Sequence, residues 1–223
     1  MRKAKIGRKS RSWRADKKAA CTRFILKYRH FINTESSLHM LIALNKPYGV
    51  ICQFSPHEKH RSLKDFVPVP NVYPAGRLDT DSEGLLLLTN DGRQQARIAN
   101  PRFKLTKTYW AQLEGSPDDE RLALLQQPLD LGDFIAQPAR IRLLDEHETA
   151  RIWQRNPPIR VRKSVPDFWL QIQICEGKNR QVRRMTAKAG YPCLRLIRVG
   201  IGRVNLFDLG IKLGQWRECP TLP

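Results

Sequence analysis

Apolar residues run Leu41-Ile42-Ala43-Leu44, pause at Asn45-Lys46-Pro47-Tyr48-Gly49 and return at Val50-Ile51, which predicts a strand broken by a Pro-x-Gly turn and then resumed. Further strands are expected at Val72 to Ala75, Gly84 to Thr89, Thr106 to Leu113, Ala139 to Leu144, Phe168 to Cys175, Leu194 to Leu206 and near Trp216. Within these, Leu85 to Leu88 is apolar at every position, as a strand buried on both faces must be. Helices are expected from Asn90 or Asp91 through Ile98, from a Ser116 cap with Pro117 at the first position through Leu125, and from Asn179 to Lys188 with Gly190 as the stop. Strands outnumber helices and several connections are short. The expected fold is therefore α+β, a mixed and mainly antiparallel sheet with flanking helices. The pattern begins at residue 40, so residues 1–39 read as a basic, flexible tail and 40–223 as one folded domain.

Charge narrows the choice of partner. The chain holds 40 Lys and Arg against 21 Asp and Glu, a formal +19, and residues 1–39 carry +10 of it. The body is thus basic in its own right, which favours a polyanion, above all nucleic acid. Bilayer insertion is not expected, since the longest leucine run has four residues. No secretory signal is visible, whereas a transit peptide or an RNA-contacting arm would both suit the Arg-rich first segment. Five scattered cysteines without a C-x-x-C pair read as reduced thiols in a cytoplasmic protein. His57 and His60 lie in a polar stretch without further clustered ligands, so no metal is expected.

Candidate chemistry concentrates at Gly76-Arg77-Leu78-Asp79, a loop that offers one carboxylate beside an arginine just before the apolar strand. The segment Glu176 to Met185 is rich in arginine; on a helix Val182, Met185 and Ala189 would pack inward while Arg180, Arg183 and Arg184 face elsewhere. Read alone, it is a basic helix for RNA, and Tyr109 in Lys107-Thr108-Tyr109 is a packing residue. Between Arg151 and Asp167 paired prolines and five basic side chains suggest an exposed loop, either a solvated crossover or a grip on phosphate.

Taken in order along the chain, Lys46-Pro47-x-Gly49, Gly76-Arg77-Leu78-Asp79, Lys107-Thr108-Tyr109 and Arg180-Gln181-Val182-Arg183 resemble the motifs of the pseudouridine synthases, in the branch that modifies ribosomal RNA. The Arg155 to Pro166 run resembles a subgroup acting on the large ribosomal subunit. The resemblance spans residues 41 to about 200 and adds a central cleft to the expected fold. It implies isomerisation of a specific uridine in 23S (large-subunit) ribosomal RNA by cleavage and re-formation of the glycosidic bond, with no cofactor. In that reading Asp79 is the catalytic carboxylate, Arg183 pairs with it, and Tyr109 stacks on the base and takes the C5 proton. Arg77 fills the gap in the RNA stack, and Lys46, Lys107, Lys178, Arg180, Arg184, Arg155, Arg160, Arg162 and Lys163 contact RNA. The Lys46 motif is expected to be structural as well. Many relatives carry an S4-type RNA-binding domain at the N-terminus; here the 39 leading residues show no patterned core. A cytoplasmic monomer is expected.

Two rival readings stay open at this point. A binding or ribosome-assembly protein explains the charge but gives Asp79 no task. A nucleoside-cleaving hydrolase needs a second carboxylate to activate water, for which Asp81 or Glu83 is available.

Overall fold

Strand β1, Leu41–Lys46, is buried at all six positions. It lies between β5, Glu83–Thr89, and β13, Trp216–Cys219, antiparallel to both. The molecule is described here from a computed structural model, which covers residues 39–159 and 164–220; the basic tail and the expected RNA contacts Arg160, Arg162 and Lys163 lie outside the described residues. The other strands of this sheet are β4, Tyr73–Pro74, on β5; β6, Lys107–Glu114; β9, Arg140–Leu143; β10, Asp167–Ile174; β11, Cys193–Ile201; and β12, Val204–Asn205, on β11. The main path runs β13-β1-β5-β11-β6-β10-β9, and among its described pairs only β5 with β11 is parallel. Two antiparallel halves therefore meet along one parallel seam, giving the expected mixed, mainly antiparallel sheet.

The leucine run of β5 explains how both faces of this sheet are covered. Leu86 and Leu88 join Ile42, Leu44, Val182 and Met185 in one core, while Leu85 and Leu87 join Leu41, Ala43, Ile98 and Ile201 in another. The first face carries α4, Gln181–Lys188, and the second α1, Gly92–Ala99, whose cap is the expected Asp91, with its carboxylate accepting from Arg93 N at 2.8 Å. Alternation along a strand places successive side chains on opposite faces, so a strand apolar throughout needs two covered faces.

Several boundaries differ from expectation. Beyond the Pro-x-Gly turn the chain does not resume β1. Gly49, at φ +77°, turns it away, and β2, Val50–Ile51, pairs in parallel with β3, Arg61–Ser62, in a separate two-stranded sheet. Helix α2, Asp119–Ala123, starts later than Ser116 and Pro117 suggested, because Asp118 supplies the cap through Arg121 N at 2.9 Å. Leu194 to Leu206 is a hairpin rather than one strand, with Gly202 at φ +57° dividing β11 from β12. Elements beyond those expected include β3, the hairpin of β7, Leu129–Asp130, and β8, Ile135–Ala136, and the single-turn α3, Glu146–Thr149, begun by a capping box between Asp145 and Glu148.

At the seam, Gly84 lies so close to β11 that a Cβ there would sit 2.4 Å from the Arg198 carbonyl oxygen. Beside it Glu83, only 1% exposed, receives both Arg195 Nε at 2.7 Å and Nη2 at 2.9 Å, and the Trp153 indole donates to the same carboxylate at 2.8 Å. Trp153 thereby ties the start of the Arg151 to Asp167 segment to the seam, while Gln154 and Asn156 to Pro158 beyond it are exposed as expected. Arg155 is also engaged, lying over the Tyr48 ring and donating to the carbonyls of Pro157 and Pro158.

Lys46 departs furthest from its expected place at an RNA interface. It is wholly buried, and its ammonium donates to the carbonyls of Val50 at 2.8 Å and Pro47 at 3.1 Å. Burial pushes its pKa down from 10.5 to about 8, against the opposing pull of Cys52, Glu83 and Asp79. The lysine of the Lys-Pro-x-Gly motif is a strut inside the turn, with no surface left for phosphate.

Two outcomes follow for stability. Replacing Glu83 with Gln leaves the Arg195 charge buried without a counter-charge, and urea unfolding is expected to show a loss of about 3 kcal/mol or more, with Glu83→Leu/Arg195→Met closer to wild type. For Lys46 the unfolded chain binds more protons than the folded one between about 8 and 10.5. This group therefore adds stability as pH rises through that window, on the order of 3 kcal/mol in all. The stability of wild type minus that of Lys46→Met should climb between about pH 7 and pH 10; a flat difference would show that Lys46 does not titrate there.

Candidate active site

Asp79 lies in the turn that delivers the chain into β5, and that turn is fastened through its main chain from several directions. Cys52 Sγ donates to Leu78 O at 3.1 Å and accepts from Leu78 N at 3.3 Å. Gly49 N donates to Thr80 O at 2.8 Å, which is why the Pro-x-Gly turn packs against the loop. From β11, Arg198 donates to Arg77 O at 3.2 Å and Leu85 O at 2.8 Å; from α4, Arg183 Nη2 donates to Asp81 O at 2.8 Å. Ser82 N closes the turn on Asp79 O at 3.0 Å. The Asp79 side chain, 38% exposed, projects from this frame into solvent-filled space.

Two clefts meet at Asp79. One, about 230 Å³, is bounded by Arg77, Asp79, Lys107, Tyr109, Glu176 to Val182 and Arg198. The other lies across the loop and is bounded by Ile51, Cys52, Gln53, Arg77, Asp79, Thr80, Asp81, Asn179 and Arg180. Tyr109 is 8% exposed on β6, and among the described residues no side-chain partner holds its hydroxyl. Lys107, two residues earlier on the same face, is buried, and its ammonium donates to the carbonyls of Cys175 at 3.3 Å and Glu176 at 3.1 Å. Burial, with the neighbouring Arg198, holds that ammonium below its ordinary value. Lys107 thus braces the turn that leads to α4 from within the cleft wall, rather than standing out as a phosphate contact.

Gln181 shapes the same turn from its other side. Buried at the start of α4, its side-chain oxygen accepts from Gly177 N at 3.1 Å and Lys178 N at 3.0 Å, while its amide nitrogen donates to Glu176. Arg180 precedes the helix in a left-handed conformation, φ +50°, so α4 begins at Gln181, two residues later than the sequence pattern suggested. Val182, Met185 and Ala189 face the core as expected.

The arginines are arranged differently from expectation. The pair expected between Arg183 and Asp79 is absent: Arg183 Nε lies 3.5 Å from Asp81 Oδ2, and its remaining donors go to Asp81 O and Cys193 O. Arg180 is the cation nearest Asp79, at 3.8 Å, yet it binds Asp81 bidentately at 3.1 and 2.9 Å. The reason is reach, since the left-handed turn at Arg180 points its side chain across the loop while Arg183, one helical turn on, meets the loop farther along. Arg184, expected at phosphate, is engaged by Asp133 and Leu131 O and lies over the Phe134 ring. Arg77 and Lys178 are exposed at the cleft rim and hold no side-chain acceptor among the described residues.

Neither carboxylate proposed for water activation is available. Asp81 is held by two arginines, and Glu83 is buried against Arg195 and Trp153. Residue reasoning missed Arg198 and Cys52, and gave Asp81 only a rival role; an arginine inside an apolar strand such as β11 was the available signal for the first. Among the described residues no group of three or more His, Cys, Asp and Glu side chains could hold a metal ion, and no helix is long and apolar enough to cross a membrane.

The chain matches known proteins over this same region. A sequence profile of the RNA pseudouridylate synthase family matches residues 40–188. A ribosomal large subunit pseudouridine synthase E of Xanthomonas campestris pv. campestris is 54% identical over 180 residues, covering 80% of this chain and 94% of that protein. A protein of the same description from Vibrio vulnificus is 47% identical, covering 82% and 76%. A crystal structure of a pseudouridylate synthase superposes with a TM-score of 0.65 at 28% identity, over 84% of this chain and 73% of its own.

Proposed function

The chain belongs to the RNA pseudouridylate synthase family, and from that premise we propose that it converts one uridine of large-subunit ribosomal RNA to pseudouridine with Asp79 as the catalytic carboxylate. The observation that carries this reading is the position of Asp79 at the junction of two clefts, on a loop fixed by its main chain, in the same cleft as Tyr109. The 54% identical relative named for the large ribosomal subunit supports the choice of RNA.

The isomerisation breaks the bond from N1 to C1′, turns the uracil and joins C5 to C1′. It is redox-neutral and needs no water. The carboxylate of Asp79 adds to the nucleotide or stabilises the sugar while the base is detached, and it must be ionised to do so. Arg180 lies 3.8 Å away, beyond hydrogen-bonding distance. Tyr109 on the cleft wall provides a ring for the extruded base to stack against, and its hydroxyl oxygen can accept the C5 proton as its own proton passes to solvent, while N1 gains a proton from solvent. Arg77 at the rim is free to occupy the space that the extruded nucleotide leaves in the RNA. Its carbonyl is held by Arg198, so the side chain can move without the loop. Residues 40–223 form the catalytic body in this reading, and the basic residues 1–39 extend its grip on phosphate. The enzyme acts in the cytoplasm as a monomer.

A hydrolase fits less well, because the two carboxylates it would need beside Asp79 are both engaged.

Pseudouridine mapping across the ribosomal RNA of cells with and without the gene tests the reading directly, with one large-subunit site expected to disappear. In vitro, Asp79→Asn should abolish tritium release from [5-³H]uridine RNA while RNA affinity stays within about tenfold, or about 1.4 kcal/mol. Turnover near wild type would sink the assignment. Tyr109→Phe keeps the ring and loses the hydroxyl; binding should survive and the single-turnover rate fall. Lost binding with an unchanged rate would remove Tyr109 from proton transfer.

A further inference from the structure

Beyond the wall of the Tyr109 cleft lies a groove that the isomerisation leaves unused. It encloses about 470 Å³ and shares Ile174 and Glu176 with the cleft, so only the turn after β10 separates the two spaces. Its other side is built by Lys104, from the loop before β6, and by Arg140, at the start of the edge strand β9. Both side chains are exposed, and neither meets an acceptor or a carboxylate among the described residues. Their neighbours behave differently. Arg142, two residues along the same strand, is closed on Glu148, while Arg180, Arg184 and Arg195 are closed on Asp81, Asp133 and Glu83. The carboxylate in the groove lining, Glu176, turns to Gln137 N at 3.1 Å and to the Gln181 amide. Two open cations therefore face a space whose carboxylate is already engaged, and such a space attracts a further anion.

The backbone at Lys104 is a second, independent sign. Lys104 ends the single turn Pro101–Phe103 at φ +50°, its N–H donating to Pro101 O at 2.9 Å. Left-handed backbone outside Gly is uncommon and falls mostly on Asn, Asp and His, so a lysine held there accepts local strain for the direction it gives the side chain. The rest of the lining suits a nucleotide better than a bare ion. Pro101, Pro138 and Ile174 offer apolar contact to a sugar, and the Gln137 amide and Thr106 hydroxyl are groups of the kind that bond a ribose 2′-OH.

We propose that this groove holds the ribose-phosphate backbone of the RNA next to the target uridine, with Lys104 and Arg140 each on a phosphate. The proposal rests on the reading of the chain as an enzyme of RNA. It assigns the two cations a part in affinity and none in the chemical step, since phosphate contacts fix the position of a strand without touching the reacting base.

The test uses a large-subunit ribosomal RNA transcript containing [5-³H]uridine, with filter binding across a salt series, single-turnover tritium release and thermal unfolding for wild type, Lys104→Gln, Arg140→Gln and the double variant. Each substitution should weaken binding about three- to tenfold, the worth of one charge-assisted hydrogen bond at an exposed site, and leave the rate at saturating enzyme unchanged. The slope of log affinity against log salt should become shallower by about 0.7 to 0.9 for each cation, or about 1.4 to 1.8 for the pair. Lys104→Gly relaxes the left-handed turn, so it should unfold no earlier than wild type and still bind as weakly as Lys104→Gln. A double variant with the wild-type affinity and slope overturns the proposal, as does a Gly variant that binds like wild type or a pair whose loss appears in the saturated rate alone.

Cys175 gives a direct view of the groove, because its exposed thiol lies in the lining. Alkylation of Cys175 by iodoacetamide, followed by peptide mass spectrometry, should slow at least about fivefold when the transcript is bound, an occupancy effect that a merely structural role for Lys104 and Arg140 does not produce. Uridine monophosphate at the same nucleotide concentration should not protect it. An unprotected Cys175 in the RNA complex, or equal protection by the mononucleotide, sinks the assignment to an RNA strand. A wild type that binds the transcript and releases no tritium removes the isomerase reading, while affinity, salt slope and Cys175 protection still decide the groove.

Discussion

Only two residue pairs, Ile197 with Glu83 and Arg198 with Gly84, join β5 to β11, and the working side chains of the cleft take their places from that short parallel seam. The strands approach so closely at Gly84 that any Cβ would strike the Arg198 carbonyl. That approach carries Arg198 under the Asp79 loop, where it reaches Arg77 O, and sets Arg195 against Glu83. The seam also divides the sheet, with the strands that frame the loop on one side and the strand bearing Tyr109 on the other. A looser junction would separate the carboxylate from the ring.

The floor beneath the cleft is unusually cationic for a protein interior. Lys46, Lys107, Arg195 and Arg198 are all buried, with Glu83 the buried carboxylate among them. Main-chain carbonyls make this tenable: Lys46 uses Pro47 and Val50, Lys107 uses Cys175 and Glu176, Arg198 uses Arg77 and Leu85. Each carbonyl belongs to a turn or strand end that would otherwise leave an acceptor unsatisfied in an apolar setting. The cations are thus structural fasteners at the loop ends.

Much of this was legible along the chain. The uninterrupted Leu85 to Leu88 required two covered faces, and both exist. Asp91 as a cap and the inward face of Val182, Met185 and Ala189 followed from spacing, and the motifs carrying Asp79, Lys107, Tyr109 and Arg180 do line one cleft. What spacing could not give was decided by backbone geometry at single residues. Arg180 in a left-handed conformation redirects its guanidinium to Asp81; Gly202 folds a continuous β pattern into a hairpin; Gly49 sends β2 into another sheet. Burial of Lys46 was hidden for a different reason, since a lysine in a sequence reads as surface until the carbonyls that receive it are known.

The contacts that fasten the Asp79 turn fall on main-chain atoms: Arg77 O, Leu78 N and O, Asp79 O, Thr80 O and Asp81 O. Shape and chemistry are therefore written in different parts of the same residues. The peptide groups carry most of the fastening, with the Leu78 and Asp81 side chains adding to it, and the side chains at 77 and 79 are left free of architectural duty. Such a turn can drift in reactivity without drifting in form, so a descendant that has lost its carboxylate would still present the same surface to RNA and persist as a binding protein wearing the outline of an enzyme.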